Sequence, residues 1–186
     1  VAQRANRIVA NSEAVDAVLA EFLHGSPRSR LTCVVNGIDL ARFAPRDPTQ
    51  ARHACGIPPG APLVTMVAHL VPWKRHDLFL AMAGLIAQTH PGVHFAIAGG
   101  DLLGEHARYR TSLHAQAARL GLEEKLHWLE QGGDVRDVLQ ATDLLVHPTA
   151  EEPFGRVLCE AMAMGKPIIA VRANGPASIV KHDATG

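Results

Sequence analysis

Glu152-Pro153-Phe154-Gly155-Arg156-Val157-Leu158-Cys159-Glu160-Ala161-Met162-Ala163-Met164-Gly165-Lys166-Pro167 is the stretch whose reading decides the fold. It sets one carboxylate just before a helix start and a second one eight positions on, inside the helix. Gly155 stands at the entrance. Gly165-Lys166-Pro167 ends the helix, because glycine accepts the left-handed turn and proline cannot continue the ladder. A helix start offers unpaired N–H groups and partial positive charge, so it attracts phosphate. A carboxylate cannot ligate an anion there. It accepts hydrogen bonds from hydroxyls, the groups a sugar offers. Phosphate-binding amides beside hydroxyl acceptors point to a nucleotide-sugar pocket. The competing reading is structural. Leu158, Ala161 and Met162 fall at i, i+3 and i+4 and bury one helix face, which leaves Glu160 a solvated helix residue and Glu152 a loop charge. Spacing alone does not separate the two.

Outward from this stretch, short apolar runs alternate with helical patterns. Leu31–Val35, Leu63–Ala68, His94–Ala98, Leu126–Leu129, Leu144–His147 and Ile168–Val171 read as strands. They are nearly continuous and often β-branched, as a parallel sheet covered on both faces requires. Asn11 or Ser12 caps a first helix, with Val15, Val18, Leu19 and Phe22 in one stripe. Leu78, Met82, Leu85 and Ile86 stripe the helix after Trp73. Tyr109, Leu113 and Ala117 lie on another, which Gly121 stops, and Asp134 caps a short one with Val138 and Leu139 inward. This alternation predicts an α/β fold with a doubly wound, Rossmann-like parallel sheet, whose ligands sit beyond the carboxyl ends of its strands. Ala44–Pro62 reads as a surface connection with a helical turn near Ala51. Gly25–Arg30, dense in Pro, Gly and Arg, reads as an inter-domain hinge or a solvated basic loop.

The bulk properties narrow the function classes. With 186 residues and 47% apolar content, the chain is long enough for one domain with a real core, with or without an appendage. The formal net charge is zero, so nothing in it argues for nucleic acid or an acidic membrane surface, and no nucleic-acid partner is expected. Cys33, Cys55 and Cys159 are dispersed, without a Cys-x-x-Cys, so neither a disulfide framework nor a zinc site is indicated and a reducing cytoplasm is expected. No apolar run approaches the roughly 20 residues of a membrane span. No secretory segment opens the chain, and the first residue, Val1, and the abrupt Gly186 suggest a piece of a longer protein. His94, His127 and His147 sit in or beside apolar runs and read as core or strand-end histidines rather than metal ligands; His147 also falls close to the Glu152 loop, where it would line the pocket.

The Glu152–Pro167 string closely resembles the E-P-F-G-x4-E-A-M-A-x-G-x-P signature of retaining glycosyltransferases of family 4, which have the two-domain GT-B fold. Six further segments carry the same resemblance. His69-Leu70-Val71-Pro72-Trp73-Lys74-Arg75 resembles the family's G-R-L-x-P-x-K-G, whose Arg and Lys hold the donor diphosphate. Lys74 matches the lysine, a point charge for phosphate. His69 stands in place of the Arg and Arg75 in place of the Gly, so either His69 donates to phosphate or Arg75 reaches across. Ala98-Gly99-Gly100-Asp101 resembles the G-x-G loop and makes Gly100 the donor-site candidate, while Gln131-Gly132-Gly133-Asp134 matches the loop beside the nucleotide base. Val35–Pro45, with its Asn36-Gly37 turn, resembles the segment that opens the C-terminal domain, and Arg4–Phe22 the last strand and helix of the acceptor-side domain. Asn174-Gly175-Pro176-Ala177-Ser178-Ile179-Val180 resembles G-G-x-x-E-I-V, with Ser178 for the Glu and Asn174 for a Gly.

The resemblance implies that residues 1–26 end an N-terminal acceptor domain and its hinge, and that residues 27–186 form a C-terminal nucleotide-sugar-binding domain, truncated at its end. It implies Glu152 and Lys74 as the catalytic pair. His69, Lys74, Arg75, Gly100, Phe154, Gly155, Arg156, Val157 and Glu160 would bind the donor, with Glu152 on the transferred sugar and Glu160 on the ribose. No metal and no cofactor are expected beyond the nucleotide-diphosphate sugar itself. The acceptor, a glycan, lipid or small molecule, would be held mainly by a missing N-terminal domain, so that this piece alone would transfer nothing. A location in the cytoplasm, or peripheral to the inner face of its membrane, fits this reading. Two alternatives use the same fold: a non-catalytic nucleotide-sugar-binding module, favoured by the departures at His69, Arg75 and Ser178, and a nucleotide-sugar epimerase, for which no convincing acid–base set is visible. A dinucleotide-binding domain is disfavoured, since no Gly-x-Gly-x-x-Gly follows the first sheet strand.

Overall fold

The computed structural model describes residues 5–23, 30–101, 104–129 and 134–186. Its elements run β1 (Ile8–Ala10), α1 (Glu13–Phe22), β2 (Leu31–Cys33), α2 (Thr49–Ala54), β3 (Leu63–Val67), α3 (His76–Thr89), β4 (His94–Ala98), α4 (Ala107–Arg119), β5 (Leu126–Leu129), α5 (Val135–Ala141), β6 (Leu144–His147), α6 (Arg156–Ala163), β7 (Ile168–Ala170) and α7 (Asn174–Ile179). A single 3₁₀ turn, Pro72–Lys74, precedes α3.

Five strands form one parallel sheet in the order β5-β4-β3-β6-β7. The order reverses direction between β3 and β6, and that crevice is where doubly wound sheets bind ligands. The expected α/β, Rossmann-like sheet is therefore present. One strand is not where the sequence placed it. Residues 31–33 pair with β1 in a separate two-stranded parallel sheet, in register Val9 with Thr32. A three-residue strand is too short for its apolar pattern to specify a neighbour.

Two apolar layers clamp the sheet. On one side Met66, Leu70, Phe79, Leu80, Phe95, Ile97, Leu113 and Leu122 are buried together, with Phe79 edge-on to Phe95 at 6.4 Å. The other side packs Leu139, Leu145, Leu158, Ala161 and Ile168. Each large side chain so buried contributes about 1.5–3 kcal/mol.

Two helices do not bury the stripe their apolar residues suggest. In α3 the buried set is His76, Phe79, Leu80, Ala83 and Gly84, at i, i+3, i+4, i+7 and i+8, while Leu78 and Leu85 are exposed. Gly84 belongs to that face: a Cβ there would sit 2.9 Å from Leu120 Cδ2, so the glycine gives the Leu120 side chain its room in the turn after α4. In α1 no residue is buried, and Val18 and Phe22 of the expected stripe are 63% and 69% exposed. Ser12, not Asn11, is its N-cap, accepting from Val15 N at 3.1 Å. The helical turn near Ala51 is α2, Gly121 ends α4 in a left-handed turn, and Asp134 caps α5. The expected hinge at residues 25–30 lies mostly outside the described residues.

Candidate functional site

A cleft of about 1110 Å³ opens at the carboxyl ends of β3 and β6. Lys74 enters it from the 3₁₀ turn, its ammonium 4.0 Å above the Trp73 ring. Its own carbonyl accepts from the fully buried Thr149 Oγ1 at 3.2 Å, which ties the Lys74 loop to the Glu152 loop. Lys74 Nζ and Glu152 Oε2 form an ion pair, and His147 Nε2, at the end of β6, lies 3.5 Å from the same oxygen. Burial pushes the Glu152 carboxyl up. His147 and the Lys74 ammonium outweigh it and hold the group at about 2.

The Glu152–Gly155 loop is fixed from four directions. Gly175 N donates to Glu152 O at 3.0 Å, and Asn174 Nδ2 donates to Ala150 O at 2.7 Å. A Cβ on Gly175 would lie 2.5 Å from the Phe154 backbone, so the glycine is what lets α7 come this close. Ser12 Oγ, buried, donates to Pro153 O at 2.5 Å across 141 positions of sequence. Phe154 is itself buried. Gly155 then turns left-handed (φ 94°) into α6, and a Cβ there would meet Leu158 Cδ1 at 2.9 Å. The result aims the first turn of α6, through Phe154, Gly155, Arg156 and Val157, at the cleft. Its leading N–H groups have no acceptor within the helix.

Glu160 is not solvated. It is 5% exposed and lines the cleft, with the outlying Arg156 guanidinium 3.4 Å from Oε1. The second glutamate is therefore not the solvated helix residue of the competing reading. His69 also lines the cleft.

Two expected donor residues are not brought there. Arg75 takes a left-handed φ of 64° and turns its guanidinium to Asp77, at 3.1 and 3.2 Å, on an exposed surface outside the cleft. Of the paired glycines, Gly99 and not Gly100 faces the cleft. Its φ is 126°, and a Cβ would lie 2.2 Å from Ala68 O. Gly100 instead accepts from Leu70 N at 3.1 Å.

His147 lines the cleft as its place in the sequence suggested. Sequence reasoning did not place at the cleft Asn11 and Asn36, which follow the two strands of the small sheet, or the stacked pair His114–Trp128, with centroids 4.1 Å apart. Asn36 was visible only as a turn signal. The loop Gln131-Gly132-Gly133 lies outside the described residues; its last position, Asp134, pairs with Arg136, whose guanidinium holds that carboxyl at about 2. Among the described residues no three His, Cys, Asp or Glu side chains gather as a metal centre, and no helix is long and apolar enough to cross a membrane.

Similarity to known proteins accords with this geometry. The sequence profile of the glycosyl transferases group 1 matches residues 48–186. The D-inositol 3-phosphate glycosyltransferase of Nocardia farcinica is 34% identical over 186 residues, which is 98% of this chain and 41% of that protein. That of Mycolicibacterium gilvum is 33% identical over 188 residues, all of this chain and 41% of the relative. The crystal structure of Anabaena Alr3699/HepE in complex with UDP-glucose superposes with a TM-score of 0.86 at 32% identity, over 97% of this chain and 49% of that one. The chain thus spans less than half the length of these relatives. Its architecture is that of one half of a GT-B glycosyltransferase, and the chain belongs to the glycosyl transferases group 1 family.

Proposed function

We propose that this chain is the donor-binding part of a retaining, metal-independent glycosyltransferase that moves a sugar from a nucleoside-diphosphate sugar to an acceptor hydroxyl. The observation that carries the reading is the convergence, in one cleft at the switch point of the sheet, of the Lys74 ammonium, the start of α6 and the two carboxylates of Glu152 and Glu160.

When the glycosidic bond of the donor breaks, negative charge builds on the leaving diphosphate. Lys74 and the first turn of α6 face the place where it develops. One preorganised donor of this kind supplies about 3–4 kcal/mol, and a helix end about 0.3–2 kcal/mol. Glu160, buried and accepting, suits the ribose hydroxyls. Glu152, at the mouth of the helix, suits a hydroxyl of the transferred sugar. The UDP-glucose complex of the Anabaena relative supports a uridine nucleotide as the first donor to try. The acceptor would be bound mainly by a part of the protein outside this chain, which on its own would bind donor and transfer nothing.

Calorimetry of the chain with UDP, UDP-glucose, GDP and ADP tests the proposal. At least one nucleotide should bind, and Lys74→Ala should weaken it tenfold or more. Binding that is indifferent to Lys74, or no binding at all, would overturn it. Robust sugar transfer by the chain alone would refute the division of labour.

A further inference from the structure

Two nitrogen groups converge on a single oxygen in the cleft. Glu152 Oε2 is held by the Lys74 ammonium, and His147 Nε2 waits 3.5 Å from it. The His147 ring is 2% exposed, and among the described residues its Nε2 makes no completed hydrogen bond. An unpaired, buried ring nitrogen is costly and unusual in a folded protein. The ring is not adrift. His147 closes β6, opposite Ala170 of β7, and its carbonyl accepts from Val171 N at 3.2 Å.

Lys74 has two demands on it. In the structure it neutralises Glu152. On the donor-binding reading, on which this inference rests, it must also meet a diphosphate. An ammonium that turns wholly toward phosphate leaves behind a largely buried carboxylate, and an uncompensated buried charge opposes binding. Among the described residues, the other side-chain donor near that oxygen is His147. Closing 3.5 Å to the roughly 2.7–2.9 Å of a charge-assisted bond takes a movement below about 1 Å.

We propose that His147 is a positioning residue that takes over the Glu152 carboxylate when Lys74 turns to the donor's diphosphate. Nε2–H donates to Oε2 from the neutral ring, so no proton changes hands. The ammonium is released to phosphate while Glu152 keeps both its charge and its place beside the transferred sugar.

A double-mutant cycle read by calorimetry with UDP, and with GDP and ADP in parallel, tests the exchange. His147→Leu should weaken nucleotide binding about tenfold, the scale of a lost hydrogen bond to a charged group. His147→Gln, whose amide N–H can reach the carboxylate, should restore most of the loss. In a Glu152→Gln background, where no carboxylate holds the lysine, His147→Leu should change affinity by less than about twofold, because there is nothing left to take over. Equal losses in both backgrounds, a glutamine no better than leucine, or no loss at all would overturn the exchange. Should His147→Leu not fold, His147→Asn replaces it in the cycle, its shorter amide falling short of Oε2 with the same expected signs. A wild-type chain that binds none of the nucleotides overturns the donor-binding reading and this one with it. A wild-type chain that binds, with additive variants, overturns the exchange alone.

Discussion

The Glu152 carboxylate should make the fold measurably acid-sensitive, and replacing it should remove that sensitivity. Its pKa is held at about 2, against 4.5 for an ordinary glutamate. That gap, at about 1.4 kcal/mol per unit, corresponds to about 3 kcal/mol of stability. Its side chain is only 12% exposed, so solvent screens the interaction little. The sign follows from which state binds the proton. Between the two values the unfolded chain binds it and the folded chain does not, so stability is fully present above 4.5 and drains away as pH falls toward 2. Integrated from pH 6 to pH 3, the loss from this one group is about 2 kcal/mol. Urea unfolding of the wild-type chain and of Glu152→Gln, followed by circular dichroism at each pH, isolates it, since every other carboxylate titrates in both proteins. The wild-type advantage should shrink by about 2 kcal/mol between pH 6 and pH 3, a convergence of about 1 M urea for a slope near 2 kcal/mol/M. Two curves running parallel across that interval would show that neither the ion pair with Lys74 nor the approach of His147 holds the carboxylate in solution.

Other consequences are equally direct. Gly99→Ala would place a methyl 2.2 Å from Ala68 O at a φ of 126° and should cost about 2–4 kcal/mol in thermal unfolding, whereas Gly92→Ala, with open space around it, should be nearly silent. Ser12→Ala removes both the α1 cap and the bond to Pro153 O; it should cost about 1–2 kcal/mol and weaken nucleotide binding as well, which a mere capping loss would not do. His94 Nδ1 and His127 Nε2 are 3.0 Å apart, and burial lowers both pKa values below the ordinary 6.5. The folded state resists protonating them, so stability should be complete above pH 6.5 and fall as pH drops below it. His127→Gln should flatten that part of the stability–pH curve, and an unchanged slope would show the pair is not coupled to folding.

The five strands of the main sheet were legible because each is a short, nearly unbroken apolar run, as a strand buried on both faces requires. The inward face of α3 was not, because two of its members, His76 and Gly84, do not look like core residues, while the conspicuous Leu78 and Leu85 face solvent. At the cleft, Glu152, Lys74 and Glu160 were readable from their places in the motifs, and all three line it. Arg75 lies away from the cleft because a competing partner, Asp77, stands two residues away and holds its guanidinium. Gly99 and Gly100 differ by one position, and which of them meets Ala68 O is set by the register of β4 on β3, which no local pattern encodes. The convergence of His147 and Lys74 on one oxygen is a tertiary fact. It joins residues 73 positions apart, through two strand ends that only the sheet order makes neighbours.

The hydroxyl of Ser12 has a practical meaning for anyone who handles this protein. The tempting shortcut for screening or crystallisation is to trim the chain back to its five-stranded body and discard the opening thirty or so residues as an appendage. That cut would sever an anchor gripping the peptide group right beside Glu152. It would also strip away Asn11, which helps wall the cleft. A shortened version should therefore keep its core and lose its grip on ligand, and a negative binding screen run on it would report the surgery rather than the molecule.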